Sequence, residues 1–290
     1  GISKKAFKKS LGSLYKHRKI SFYMRKSKKN IVLGIFDSGL GGLTVVREIE
    51  RRLPGVSYVY FGDTARLPYG TKTTQTVVNY AIQNSKFLKL KGAHIPVIAC
   101  NTASAAILKT SGASKKIGKI FSSNKVFNVI EPAVKAAKAA TKNRRIGVLA
   151  TSTTVNSKIY EKLLPKYKVF SVPAPLLVPL VEAGWEKKPE TRTILKQYLA
   201  PLKKAHVDTV ILGCTHYPFI AQAVHDMMGK KVIIINPAQK TAENIAFFVK
   251  SETKSKKRET KKFFFVSDLP QDFSKQAAKF MGRKINVKTV

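Results

Sequence analysis

Two cysteines stand out because each ends an apolar run and opens onto polar residues. They are Cys100 in Val97-Ile-Ala-Cys100-Asn101-Thr102 and Cys214 in Val210-Ile-Leu-Gly-Cys214-Thr215-His216. No other cysteine occurs in the 290 residues, so no disulfide framework is encoded. A thiol that ends a strand and precedes a helix lies where the helix N-terminus lowers its pKa, and the thiolate can then act as base or nucleophile near neutral pH. The free N–H groups of the same helix start can seat a carboxylate. Cysteine is also a small hydrophobe that often only fills a core, but the Asn-Thr and Thr-His neighbours argue against that reading here. Two cysteines and five scattered histidines show no metal-ligand spacing. A Cys-His hydrolase would use one thiol and leave the other unexplained. Two thiols facing one substrate suit the inversion of a carbon centre by proton transfer, which needs a base on one face and an acid on the other.

The elements that must hold these thiols repeat. Asp37 follows one strand-like run and precedes Cys100 by 63 residues; Thr151 follows another and precedes Cys214 by 63. The same offset of 114 residues carries Cys100-Asn101-Thr102 onto Cys214-Thr215-His216 and Pro68-Tyr69-Gly70 onto Glu182-Ala-Gly184. Two related halves, each presenting one thiol, is the economical reading. Strands are expected at 31–36, 56–61, 95–99, 146–150, 169–172, 207–212 and 232–235, with helices between them, among them 43–53, 73–91 and 103–108. Apolar runs spaced by helices indicate parallel sheet covered on both faces, hence an α/β fold. In such sheets the reactive crevice lies beyond the carboxyl ends of the strands, where Asp37, Cys100, Thr151 and Cys214 all fall. The Lys/Ser-rich stretch 109–125 reads as a connector, the lysine run 254–262 as solvated surface, and the Gly39-Leu-Gly-Gly42 loop as a tight turn lacking the signature of a nucleotide site.

Composition bounds the rest. With 44% apolar residues the chain can bury one large core or two medium ones, which excludes a wholly disordered protein. No uncharged stretch is long and apolar enough to span a membrane. The formal charge is +38, from 54 basic against 16 acidic residues, and it is not confined to the first 30 positions, which hold 11 basic residues and no acidic one. That field attracts polyanions non-specifically. Residues 1–30 stand apart as a basic extension, either a polyanion- or membrane-surface arm, a targeting segment or a solvated tail.

Five segments in order carry a resemblance. Gly34-Ile-Phe-Asp37-Ser38-Gly-Leu-Gly-Gly42-Leu-Thr44, Tyr60-Phe-Gly-Asp63-Thr-Ala-Arg-Leu-Pro68-Tyr69-Gly70, Ala99-Cys100-Asn101-Thr102-Ala-Ser104, Val178-Pro-Leu-Val-Glu182-Ala-Gly184 and Gly213-Cys214-Thr215-His216-Tyr217-Pro218 are similar to those of the glutamate racemases. The resemblance implies two pseudo-symmetric α/β domains with the active site in the cleft between them. Domain one would take 31–126 and 238–290, and domain two 127–237. It implies a cytoplasmic, cofactor-independent and metal-free isomerase, a homodimer, that makes D-glutamate for peptidoglycan. Cys100 and Cys214 would be acid and base, assisted by Asp37 on one side and by His216 with Glu182 on the other. Asp37, Ser38, Pro68, Tyr69, Gly70, Asn101, Thr102, Thr151, Thr154, Thr215 and His216 would hold the substrate. Two departures from the family pattern occur, at Asn236-Pro237, where an acidic residue is usual, and at Ser152-Thr153. A racemase acting on aspartate or another amino acid, and a basic nucleic-acid-binding protein on the same scaffold, are the competing expectations; no nucleic-acid-binding motif is evident for the latter.

Overall fold

A computed structural model describes residues 31–252 and 260–290. The basic extension 1–30 and most of the lysine run 254–262 lie outside the described residues.

Long apolar runs set the strands, and their burial on both faces sets the topology. Strand β1 (Val32–Asp37) and β2 (Ser57–Gly62) are buried along almost their whole length, as is β7 (Thr209–Gly213). Together with β3 (Ile95–Ile98), β4 (Phe127–Asn128), β9 (Lys262–Val266) and β10 (Val287–Thr289), the first two form a sheet of order β10-β9-β2-β1-β3-β4. The second sheet has the order β6-β5-β7-β8, with β5 at Arg145–Ala150, β6 at Lys168–Pro173 and β8 at Ile233–Ile235. Every recorded pairing in both sheets is parallel. The order β2-β1-β3-β4 of the first sheet matches β6-β5-β7-β8 of the second, so the repeat in the sequence is a repeat of topology.

Helices cover the faces. In the first half these are α1 (Leu43–Arg52), α2 (Thr74–Leu90), α3 (Asn101–Lys109) and α4 (Ala113–Phe121). Then come α5 (Ile130–Ala140), α6 (Ser152–Asn156), α7 (Ile159–Leu163), α8 (Leu177–Glu182), α9 (Pro189–Lys204) and α10 (Ala221–Met228). The chain ends its helical part with α11 (Pro237–Glu252) and α12 (Phe273–Met281). Helix α11 packs against α1 of the first half and α5 of the second, and α12 against α1. The largest apolar cluster accordingly runs through both halves, from Leu33 and Val46 to Leu149 and Val210.

Three expectations are corrected. The stretch 109–125 is no mere connector: α4 forms there, with Ala113, Ile117 and Phe121 buried on one face. Left-handed Gly112 and Ser122 bracket it. The end of the lysine run, at Lys262, is the first residue of β9, which pairs with β2. Phe127 and Asn128, placed beyond the first-domain boundary from sequence, pair with β3 of the first sheet.

Candidate active site

Parallel sheets place their strand ends together, and here the order in which strands are added reverses at β1 in one sheet and at β5 in the other. Asp37 ends β1 and Cys100 follows its neighbour β3; Thr151 follows β5 and Cys214 its neighbour β7. Each thiol thus sits at the switch point of its sheet, where chain connections leave in opposite directions and open a crevice.

On the first side, the Asp37 carboxylate is fully buried. Its Oδ2 accepts the backbone N–H groups of Gly39 (3.1 Å) and Gly42 (2.9 Å), while Oδ1 has no hydrogen-bond partner. Burial pushes the Asp37 pKa up, against the pull of the His216 charge and of the N–H groups of Gly42, Gly39 and Ser38. Holding the turn is what one carboxylate oxygen does; the other is left bare toward the interior. Cys100 caps helix α3, accepting the Ala103 N–H at 3.4 Å, and its thiol donates to Ser38 Oγ at 3.8 Å. The expected lowering by the helix start does not prevail. Burial first, then the Asp37 charge, push the Cys100 thiol up to about 12, despite the Ala103 and Ser38 contacts; the Cys214 charge adds to the rise. Desolvating a thiolate beside a carboxylate outweighs a helix terminus.

The second side is built with the opposite sign. Cys214 Sγ lies 3.8 Å from His216 Nδ1, and His216 Nε2 lies 2.9 Å from Glu182 Oε1. Burial works against an imidazolium, but the bonds to Cys214 and Glu182 and their charges together raise His216 to about 10. Cys214 is followed by a 3-10 turn, Tyr217–Ile220, before α10, so it does not cap an α-helix as the sequence suggested. The edge of the His216 ring meets Phe280 of α12 at 5.4 Å between centroids.

The two sides meet directly. Thr44 Oγ1, from the start of α1, donates to the Thr215 carbonyl at 3.0 Å. Thr102 and Thr151 hydroxyls are 3.0 Å apart, and Thr151 Oγ1 donates to Thr154 Oγ1 at 3.0 Å. Tyr160 of α7 donates to Asn101 Oδ1 at 3.4 Å, and Thr153 Oγ1 to the Gly70 carbonyl at 2.7 Å. The loop after a cis Leu67–Pro68 bond is tied down through buried Asp63, which accepts from Tyr69, from Arg66 Nε (2.8 Å) and from Ser267 (3.1 Å). Pro68 itself is exposed, and Thr215, Tyr69 and Thr154 are buried. The departures from pattern also have places: Asn236 Oδ1 accepts the Ala238 N–H at 3.0 Å at the start of α11, and Thr153 makes the Gly70 contact.

Both thiols are nearly closed off, Cys100 4% and Cys214 7% exposed, and each borders a hydrophobic cluster on one side. Polar groups reach the sulfurs on the other: the Ser38 hydroxyl and Ala103 N–H at Cys100, and the His216 imidazole at Cys214. Those polar groups can bind the charged ends of a small zwitterion. Thr44, Asp63 and Tyr160 were not singled out from sequence. Thr44 and Asp63 lie inside the quoted motifs, whereas nothing in the spacing pointed to Tyr160.

Comparison with known proteins bears on this geometry. A family model described as Asp/Glu/Hydantoin racemase matches residues 34–244. A second, described as a CvfB-like winged helix domain, matches residues 1–28, outside the described part. A glutamate racemase of Geobacter metallireducens is 38% identical over 259 residues, which is 87% of this chain and 93% of that protein. Among solved structures, glutamate racemase isoform RacE1 of Bacillus anthracis superposes with a TM-score of 0.83 at 36% identity, covering 90% of this chain and 98% of the other. The glutamate racemase of Francisella tularensis in complex with D-glutamate gives 0.80 at 31%, covering 90% and 97%. With two thiols at matching strand ends and this likeness along most of its length, the chain belongs to the Asp/Glu/Hydantoin racemase family and, within it, to the glutamate racemases.

Proposed function

We propose that the cleft between the two sheets interconverts L- and D-glutamate by a 1,1-proton transfer between Cys100 and Cys214. The observation that carries this reading is the pair of buried thiols at equivalent strand ends, each with its own ionisable neighbour of opposite sign. In the resting pair, Cys100 beside Asp37 holds its proton, and Cys214 faces the His216 cation. Cys214 as thiolate takes the α-proton from one face; the C–H bond breaks, an S–H bond forms, and the electron pair stays on the α-carbon and its carboxylate. Cys100 then delivers its proton to the opposite face, and its sulfur is left as the thiolate. The reverse reaction begins from that state. No net oxidation occurs, so the two sulfurs balance the chemistry between them.

The α-proton is far less acidic than a thiol, so the developing carbanion needs preorganised donors. The N–H groups at the start of α3, the Thr102, Thr151 and Thr215 hydroxyls and the Asn101 amide are the groups available. Asn101 offers its NH2 to substrate, because Tyr160 occupies its Oδ1. His216 and Glu182 hold the charge next to Cys214, and Asp37 holds it next to Cys100. The domains that close on substrate are, in this reading, 31–126 with 238–290 and 127–237, adjusted to leave β4 in the first. D-Glutamate so made would feed peptidoglycan synthesis.

Circular dichroism of L- and D-glutamate with added enzyme tests the reading. Cys100→Ala and Cys214→Ala are each expected to lower racemisation by roughly 10³-fold or more. Full turnover by either variant would refute the two-thiol mechanism. No racemisation of glutamate by the unaltered protein, with turnover of aspartate instead, would refute the substrate.

A further inference from the structure

The turn between β1 and α1 contains two consecutive glycines whose surroundings differ sharply. A Cβ on Gly41 would lie 2.1 Å from Thr215 Oγ1 and 2.6 Å from both Cε1 and Nδ1 of His216. A Cβ on Gly42 would lie 2.4 Å from the Asp37 Cβ and 3.0 Å from the Tyr60 hydroxyl. Neither glycine has the left-handed backbone that by itself demands glycine, so what excludes a side chain at both is close approach. Gly41 belongs in sequence to the Asp37 turn, yet its bare face is pressed against the histidine of the other half. The Thr44 hydroxyl reinforces this approach, since it lies within bonding distance of both the Gly41 carbonyl (2.8 Å) and the Thr215 carbonyl (3.0 Å). Gly42, one residue on, donates its N–H to Asp37 Oδ2 at 2.9 Å.

We propose that Gly41 and Gly42 are positioning residues for opposite thiols: Gly41 seats Thr215 and His216 behind Cys214, and Gly42 seats Asp37 beside Cys100. One turn thereby sets both acid–base pairs, and adjacent alanine substitutions damage different faces of the substrate. This inference rests on the two-thiol reading above.

That difference is measurable because one working thiol still washes the α-proton out of one enantiomer. The thiolate takes the proton, the S–H exchanges with D2O, and the deuteron returns to the same face, without racemisation. The experiment follows α-deuteration of L- and D-glutamate separately, by NMR, for Gly41→Ala, Gly42→Ala, Cys100→Ala and Cys214→Ala. Gly55→Ala, whose Cβ would meet nothing within 4 Å, serves as the control and is expected to racemise normally. Both turn variants should lose racemisation by roughly 100-fold, the scale of a misplaced catalytic group. Gly41→Ala should keep exchange from the same enantiomer as Cys214→Ala, and Gly42→Ala from the same enantiomer as Cys100→Ala. A purely structural role would depress exchange from both enantiomers together, and that result, or a swapped pattern, overturns the proposal. If Gly41→Ala does not fold, Thr44→Val decides: it removes the hydroxyl at nearly constant volume and should lower racemisation about tenfold with the Cys214→Ala pattern. Cysteine variants that fail to divide the enantiomers between them would instead defeat the two-thiol reading, and the glycine assignment with it.

Discussion

His216 carries the sharpest electrostatic statement at the scale of single residues. Its pKa is raised from an ordinary 6.5 to about 10 because Cys214 and Glu182, by their bonds and charges, outweigh the burial penalty. A group that binds its proton more tightly when folded stabilises the fold fully below its unfolded pKa and loses that contribution as pH rises through the folded value. Cys100 adds in the same direction at higher pH: burial and Asp37 keep its proton on to about 12, so the unfolded thiol ionises first. Thermal midpoints are therefore expected to fall from pH 7 to pH 10, and to fall less steeply in His216→Gln. A flat profile in the unaltered protein would contradict the assignment. Glu182→Gln should bring the NMR titration of His216 down toward its ordinary range while leaving Cys100 in place. The candidate thiols and their ionisable neighbours stood out in sequence because their types are chemically exceptional and their spacing repeats. Their protonation was not legible, since a helix-start argument sees one field, whereas burial beside Asp37 sets a larger one.

Among elements, those strands with continuous apolar runs announced themselves: β1, β2, β3, β5 and β7 lie within a residue or two of where the pattern puts them. Helix α4 was passed over because five of the residues at 113–121 are lysine, serine or glycine and read as a connector, although Ala113, Ile117, Ile120 and Phe121 recur at helical spacing. Its structural part is nevertheless firm. Phe121 is buried, and its ring lies 3.1 Å from where a Cβ on Gly34 of β1 would stand. Phe121→Ala should cost about 3–5 kcal/mol of stability, read from the denaturant midpoint. KM and kcat of the folded variant should change little, since Phe121 meets β1 at Gly34, well before the strand end that carries Asp37. Strands β9 and β10 also escaped the sequence reading. The aromatic run Phe263-Phe264-Phe265 follows a lysine-rich stretch that reads as surface, and what makes it a strand is a partner, β2, some two hundred residues earlier in the chain. Non-local pairing of that kind leaves no local periodicity to find.

For the molecule as a whole, the +38 charge has a kinetic meaning before any structural one. A dicarboxylate approaching a strongly positive surface is steered toward it, and the steering fades as salt screens the field. The screening length falls from about 30 Å at 0.01 M ionic strength to about 8 Å at 0.15 M. KM for glutamate is accordingly expected to rise severalfold across that range with kcat nearly constant, because proton transfer in a buried site is screened much less. A KM independent of salt would assign the charge to some partner other than the substrate. No helix among the described residues is long and apolar enough to cross a membrane.

The contact of Phe280 with the His216 ring has a consequence for synthesis of the protein. Both thiols, Asp37 and His216 leave the ribosome well before α12 does. Until α12 emerges and folds back over α1, one wall of His216 is missing, and until β9 emerges β2 lacks that neighbour. A nascent chain therefore holds its reactive groups without the means to align them, and stays silent until α12 has been made and has folded into place.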